Sequence, residues 1–331
     1  MKLIAETAWH HDGDFKFFKK LVETISHETD TDYIKFHLTL DVDEYMHIDH
    51  PGYSWAKDRI FSIDQWDELF SIVTNCNKKL MFLFNDKKAI DFGMTYNPEL
   101  VEIHSVCLND IKLLNHLKGK IDNEIGVVLG IGGTDLDEIE HAIEILGSSN
   151  IVLMHGFQNY PTKYEDINFH KIKKIMQIYP KFNHGYADHT AWDNENNTLI
   201  TLLGAALGMN FIEKHVSIDT GEGRTDWQAA ISIDQFIDIQ EKLKTLSIAN
   251  GNGLLKMNEG EKTYSTFGIM KKAAILNKNV KKGEKLKLTD FDFKRTGQNS
   301  DLSQLDIINS IGKVFTNNHI KGQCINKRNL D

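Results

Sequence analysis

The sequence predicts a (β/α)8 TIM barrel followed by a small β-rich domain, and three observations carry the prediction. Short apolar runs alternate with segments of helical period over the first 250 residues, the signature of parallel βα units. Eight such runs can be counted, and eight is the number that closes a barrel. Polar residues stand at the ends of most of them, where the catalytic rim of a barrel lies, which favours the barrel over an open doubly wound sheet.

In order, the candidate strands are residues 2–6 (KLIAE), 33–38 (YIKFHL), 80–84 (LMFLF), 100–103 (LVEI), 126–130 (GVVLG), 151–155 (IVLMH), 182–186 (FNHGY) and 210–215 (NFIEKH). The connecting helices show most clearly in TDLDEIEHAIEIL, where Leu136, Ile139, Ala142, Ile143 and Leu146 share one face and Thr134 or Asp135 can cap the start. FKFFKKLVETI fills the same place after the first strand. HHDGD, residues 10–14, puts two histidines side by side, which on a strand would face opposite ways, so it reads as the loop leaving strand one. TLLGAALGMNFI is too short to span a bilayer and reads as a buried helix entering a buried strand. These boundaries give a barrel domain over residues 1–250, a Gly-rich linker over 251–268 and a β-rich domain over 269–331. Within that last part NVKKGEKLKLTDF (279–291) and HIKGQCINKRNL (319–330) form a weak internal echo.

Composition narrows the function. A net charge of −9 argues against a nucleic-acid footprint, because phosphate backbones demand clustered Lys and Arg. Cys76, Cys107 and Cys324 are odd in number and lack CxxC spacing, so neither a disulfide framework nor a structural zinc site is indicated. The N-terminus lacks the long apolar core of a signal peptide, and a reducing cytoplasm is the expected location, with no membrane partner.

Strand ends supply Glu6, Lys35, His37, Glu102, His104, His155, His189 and His215, which a barrel would bring to one face. A single histidine at a strand end is more often scaffolding than a ligand, but so many converging weaken that reading. His189 follows the seventh candidate strand and His215 ends the eighth. Neighbouring staves would bring the two imidazoles within reach of one divalent ion, leaving open positions for water and substrate.

IAETAWHHDGD, YIKFH, HGFQNYPTKYEDINF, GYADHTAW, ALGMNFIEKHVSID and FDFKRTG together resemble the sialic acid synthase family, which includes the N-acetylneuraminate, legionaminate and pseudaminate synthases. The motifs run in the family's order from residue 4 onward, and the tail resembles the SAF (antifreeze-like) domain of these enzymes. The resemblance implies condensation of phosphoenolpyruvate with the open-chain aldehyde of an N-acyl hexosamine, giving a nine-carbon 2-keto-3-deoxy acid and phosphate. It implies Mn2+ or Mg2+ on His189 and His215, sugar or aldehyde contacts from Glu6, Tyr160 and Asp226, and a phosphoenolpyruvate contact from Lys35. Arg295 matches an arginine that reaches the N-acyl group in a neighbouring subunit's barrel, which implies a domain-swapped homodimer. His10 and His11 would line the mouth of the barrel without being primary metal ligands.

Departures from the family pattern cluster where the phosphoenolpyruvate should bind. The family's KIxS reads EIHS here, with Glu102 at the lysine and Ser105 kept. Its STPF becomes Phe84, Asn85, Asp86 and Lys87, the Ser of SDHT is Ala187, and Gln158 or Asn159 must replace the Asn before YPT. A carboxylate for a cation beside a phosphate exchanges attraction for repulsion. Either Lys87, Lys88, Lys163 or a protonated His104 compensates, or the donor has changed and the barrel is a metal-dependent aldolase, lyase or isomerase that does not use phosphoenolpyruvate. His37 stands where the family has Gln and, with Glu102 and His104, makes either a second metal site or hydrogen-bonded Glu–His pairing. A non-catalytic sugar-binding scaffold would not require the His189 and His215 pair.

Overall fold

The computed structural model describes every residue except 157, 158 and 222. Contacts divide the chain into two compact units, residues 1–251 and 252–331. In the first, β1 (Lys2–Glu6), β2 (Tyr33–Leu38), β3 (Lys79–Phe84), β4 (Leu100–Ile103), β5 (Gly126–Gly130), β6 (Ile151–His155), β7 (Asn183–Asp188) and β8 (Phe211–His215) pair in parallel and in sequence order. β1 pairs with β8, Glu6 beside His215, so the sheet closes.

The two faces of the wall follow from the period of two along a strand. Ile4, Tyr33, Met81, Leu100, Val128, Val152 and Met154 fill the inside of the cylinder. Their neighbours Ala5, Ile34, Phe36, Phe82, Val101, Val127, Leu153 and Ile212 point outward to the helices and form the main core. The inner stack ends toward the C-terminal rim, where apolar residues give way to Glu6, Lys35, Glu102 and Glu213. Each lies two residues beyond an inner residue of its own strand.

The helices begin where the sequence supplies caps. Asp14 accepts from the Phe17 N–H at the start of Phe15–Glu28, and Asp135 makes a capping box with Glu138 at the start of Leu136–Leu146. Asp135, of the two residues expected to cap that helix, is thus the one that does. β7 runs two residues further than the apolar pattern indicated. The reason is Asp188, which is buried yet satisfied by Thr190, Thr201 and Lys214, so a charged residue continues the strand.

In the second unit, β9 (Ala273–Leu276) and β10 (Phe291–Lys294) form an antiparallel pair over a core of Leu276, Val280, Leu286, Phe315 and Ile325. The expected linker contains a short helix, Glu259–Tyr264, capped by Asn258. The internal echo has a structural counterpart. Val280 and His319 pair with each other, each is followed by a turn with glycine at positive φ (Gly283, +80°; Gly322, +88°), and each segment ends in a 3-10 turn, Leu288–Asp290 or Lys327–Asn329. No helix among the described residues is long and apolar enough to cross a membrane.

Candidate active site at the C-terminal rim of the barrel

One cavity at the rim is lined by Glu6, Lys35, His37, Glu102, His104, Tyr160, His189, Glu213 and His215 among others. All eight strand-end residues line it, and by the alternation along the strands seven of them turn their side chains inward. His155 is the exception: it points outward with Ile151 and Leu153. There its Nε2–H donates to His184 Nδ1 at 3.0 Å, because the His184 Nε2–H is committed to the Tyr179 carbonyl at 3.1 Å. It is a satisfied packing histidine.

The floor of the cavity is a charge cluster. Lys35 Nζ donates to Glu102 Oε2 at 2.7 Å and Glu213 Oε2 at 2.9 Å, and lies 2.6 Å from Glu6 Oε2. All four groups are buried. Burial alone would depress the ammonium, but Glu102, Glu213 and Glu6 together hold it well above its usual value. Burial pushes Glu6, Glu102 and Glu213 each up to about 7 despite the lysine. Sequence reasoning missed Glu213, although the period of two places it on the same face as His215.

The compensating cations expected from the sequence do not reach this cluster. Lys87 pairs with Glu44, and Lys88 with Asp41 at 2.6 Å; neither lysine lines the cavity, nor does Lys163. Burial drives His104 down to about 3, so it is neutral and stands 4.0 Å from Glu102. His37 Nε2 is 3.3 Å from Glu6 Oε1, and burial beside Lys35 keeps its ring neutral too. Among the described residues no three His, Cys, Asp or Glu side chains form a metal cage, so the second metal site raised for His37, Glu102 and His104 gains no support.

His189 and His215 meet at the other side of the cavity, ring centroids 4.9 Å apart and nearly perpendicular. Burial lowers His189 to about 4 and His215 well below its usual value, and each ring keeps a buried Nδ1 with no hydrogen-bond partner. Two neutral imidazoles with orphaned nitrogens fit a divalent cation whose remaining positions are filled by water or substrate. A buried ion pair sets the rings: Asp188 and Lys214, 2.9 Å apart, precede them in β7 and β8 and point outward, so both histidines point in.

Tyr160, joined to Pro161 by a cis bond, stands with its ring 5.1 Å from His189 and 5.8 Å from His215, its hydroxyl kept protonated by burial. Asp226, at a left-handed φ of 62°, accepts from the Trp9 N–H; burial raises it to about 6, and its charge is felt by Tyr160. Ser105 sits at the rim against β5, where any side chain at Gly130 would put its Cβ 2.8 Å from the Ser105 nitrogen. Gln158 lies outside the described residues. Arg295 belongs to the second unit, is exposed, and donates to the Ile269 carbonyl. His10 donates from Nδ1 to the Thr225 carbonyl at 2.6 Å and packs 5.4 Å from His215, while His11 is wedged among Trp9, Phe18 and Phe61.

Buried groups of the barrel thus titrate away from their ordinary range, and their signs oppose. His10, His11, His37, His104, His155, His189 and His215 are lowered, so the stability they confer is present above about pH 6.5 and lost as pH falls. Glu6, Glu102, Glu213 and Asp226 are raised, so theirs is present below about pH 4 and lost as pH rises through about 6–7. The lowered histidines outnumber the raised carboxylates. Between about pH 6.5 and 5 the protein is expected to lose stability as pH falls, from a net uptake of protons on unfolding. Urea midpoints measured across that range check this; a flat profile would contradict it.

The sequence profile of the NeuB family matches residues 24–254. The chain is 24% identical to the N,N'-diacetyllegionaminic acid synthase of Campylobacter jejuni over 98% of both chains. It is 22% identical to the mouse (Mus musculus) N-acetylneuraminate-9-phosphate synthase over 76% of this chain and 71% of that one. Among solved structures, the N-acetylneuraminic acid synthetase of Leptospira borgpetersenii shares the fold with a TM-score of 0.70 at 22% identity, over 79% of this chain and 88% of that one. A spore coat polysaccharide biosynthesis protein of Bacillus subtilis aligns over 98% of this chain and 93% of that one, with a TM-score of 0.65 at 18% identity.

Proposed function

The chain belongs to the NeuB family and is a sialic acid synthase-like enzyme, and from that premise we propose that its barrel joins a three-carbon donor to the open-chain aldehyde of an N-acyl hexosamine. The product is a nine-carbon 2-keto-3-deoxy acid of the sialic acid type. The observation that carries this reading is the neutral, orphaned pair His189 and His215, facing Tyr160 and the Glu6 carboxyl across one rim cavity.

In this reading His189 and His215 hold Mn2+ or Mg2+. When bound, such an ion supplies Lewis-acid polarisation of the aldehyde oxygen. Tyr160 donates a hydrogen bond to the sugar, and Glu6, poised near neutrality, exchanges a proton with the hydroxyl the aldehyde becomes. Asp226 accepts from a sugar hydroxyl. The donor implied by the resemblance is phosphoenolpyruvate, with phosphate leaving. The enclosure of Lys35 by three carboxylates favours a second reading, a metal-dependent aldolase whose donor carries no phosphate.

The test is incubation with Mn2+, a panel of N-acyl hexosamines and either phosphoenolpyruvate or pyruvate, followed by mass detection of the nonulosonic acid. Product from either donor supports the reaction class; none from any pair overturns it. Arg295, if it serves a second copy's barrel, gives a separate expectation. Arg295→Ala should raise the KM for the hexosamine by about 10- to 100-fold, the worth of a charge-assisted hydrogen bond, and leave kcat within a few-fold. The intact protein should elute at twice its 37.9 kDa mass in light scattering. An unchanged KM removes Arg295 from the site, and a monomeric mass removes the swapped dimer.

A further inference from the structure

Glu102 does two things to the rim that point the same way. Its Oε2 takes a hydrogen bond from Lys35, completing the ring of three carboxylates around the one Lys or Arg that lines the cavity among the described residues. A donor bearing both phosphate and carboxylate would enter a cavity where three buried acids already outnumber one buried ammonium. Lys87 and Lys88, tied to Glu44 and Asp41, do not supply a second cation there.

The other oxygen is free. Oε1 of Glu102 has no hydrogen bond among the described residues, and its nearest charged neighbour, His104 Nδ1, is 4.0 Å away. Gly130 keeps the space beside it open, since a Cβ there would come within 3.6 Å of that oxygen. An unpartnered carboxylate oxygen therefore faces the cavity that also holds Tyr160, His189 and His215.

The chemistry links the two features. In a phosphorylated donor the enol is preformed and locked by its phosphate, so no base is needed to make the carbon nucleophilic. Strip the phosphate from that donor and it becomes a 2-keto acid, whose enolate must be generated by removing a proton from the methyl carbon. The residue that repels the phosphate is also a carboxylate with a free oxygen in the same cavity, a base able to take that proton.

We propose that Glu102 sets the donor class, excluding a phosphorylated three-carbon acid and acting as the base that enolises an unphosphorylated 2-keto acid. This rests on the condensation reading above. Oε1 takes the proton from the methyl carbon, and the C–H electron pair becomes the enolate. The enolate carbon then forms a bond to the aldehyde carbon, whose carbonyl π pair moves to oxygen and takes a proton from Glu6. The proton held by Glu102 is returned to Glu6 through Lys35, which touches both carboxylates. Nothing leaves, so no phosphate or water enters the balance, and the reaction runs in both directions.

The test follows deuterium uptake into pyruvate, read by mass after incubation of the intact protein with Mn2+ in D2O and removal of the metal. Enzyme-dependent exchange of the methyl hydrogens is expected without any sugar present, slowed at least about 100-fold in Glu102→Gln, which keeps the shape of the side chain and its bond to Lys35. Pyruvate with a hexosamine should give product, and phosphoenolpyruvate with the same sugar should release no phosphate. Sugar-dependent phosphate release by the unaltered protein overturns the proposal while upholding the condensation reading. Absence of methyl exchange also overturns it, as does exchange undiminished in Glu102→Gln; failure of every donor and sugar pair to give product tells instead against the condensation itself. The measurements on the unaltered protein decide even if the variant does not fold.

Discussion

Replacing Lys35 by methionine should destabilise the barrel by about 3–5 kcal/mol at pH 8, the cost of stranding buried charge by removing its partner. Methionine fills the volume of the lysine stem, so the loss isolates the ammonium. What remains is three carboxylates, from β1, β4 and β8, sharing one dry space. Their only escape is to take up protons, and all three already sit near 7 with the lysine present. Without it they rise further. The penalty should therefore shrink as pH falls toward 5, where the carboxyls are neutral in protein and variant alike. Glu102→Gln and Glu213→Gln, added together to Lys35→Met, should recover most of the loss, because the space then holds one acid and two amides that can bond each other. Urea unfolding at pH 8 and pH 5.5 reads all of this. A loss under 1 kcal/mol at pH 8, or one independent of pH, would show that the cluster is solvated and not the buried floor described.

That floor also shows what a sequence discloses and what it hides. Most of the strands were legible because parallel barrel strands, buried on both faces, are apolar runs, while β7 and β8 carry polar residues along their length. The rim residues were legible as polar residues closing those runs. Glu213 was hidden because it lies inside a strand, between Ile212 and Lys214, two residues before a histidine that attracted the attention. The pairing of Lys35 with three acids was not legible at all, since Glu6, Lys35, Glu102 and Glu213 come from four strands and their distances depend on closure between β1 and β8. Nor could His155 be told from its neighbours without register: it ends a strand as Glu6 and His215 do, but one step out of phase with the inner face. The repeat in the second unit was visible as an echo of sequence because both copies need glycine at the same left-handed turn position.

Substituting either His189 or His215 by alanine should reduce affinity for Mn2+ at least about 100-fold and lower any condensation rate by three orders of magnitude or more. Calorimetric titration with the metal alone gives the first readout and does not depend on knowing the substrate. A second comes from stability, since an ion at 100 times its Kd should add about 2.7 kcal/mol to the unaltered protein and almost nothing to either variant. The site's electrostatics explain why the pair should be sensitive. Its imidazoles are held neutral by burial, so they accept a cation at neutral pH without first losing protons. With no three-residue cage among the described residues, neither ring has a protein substitute. His155→Ala is the control, since that ring is bonded to His184 on the outer face and should leave metal affinity unchanged. Equal losses from His155→Ala and His189→Ala would mean that the ion, if it binds, is held elsewhere.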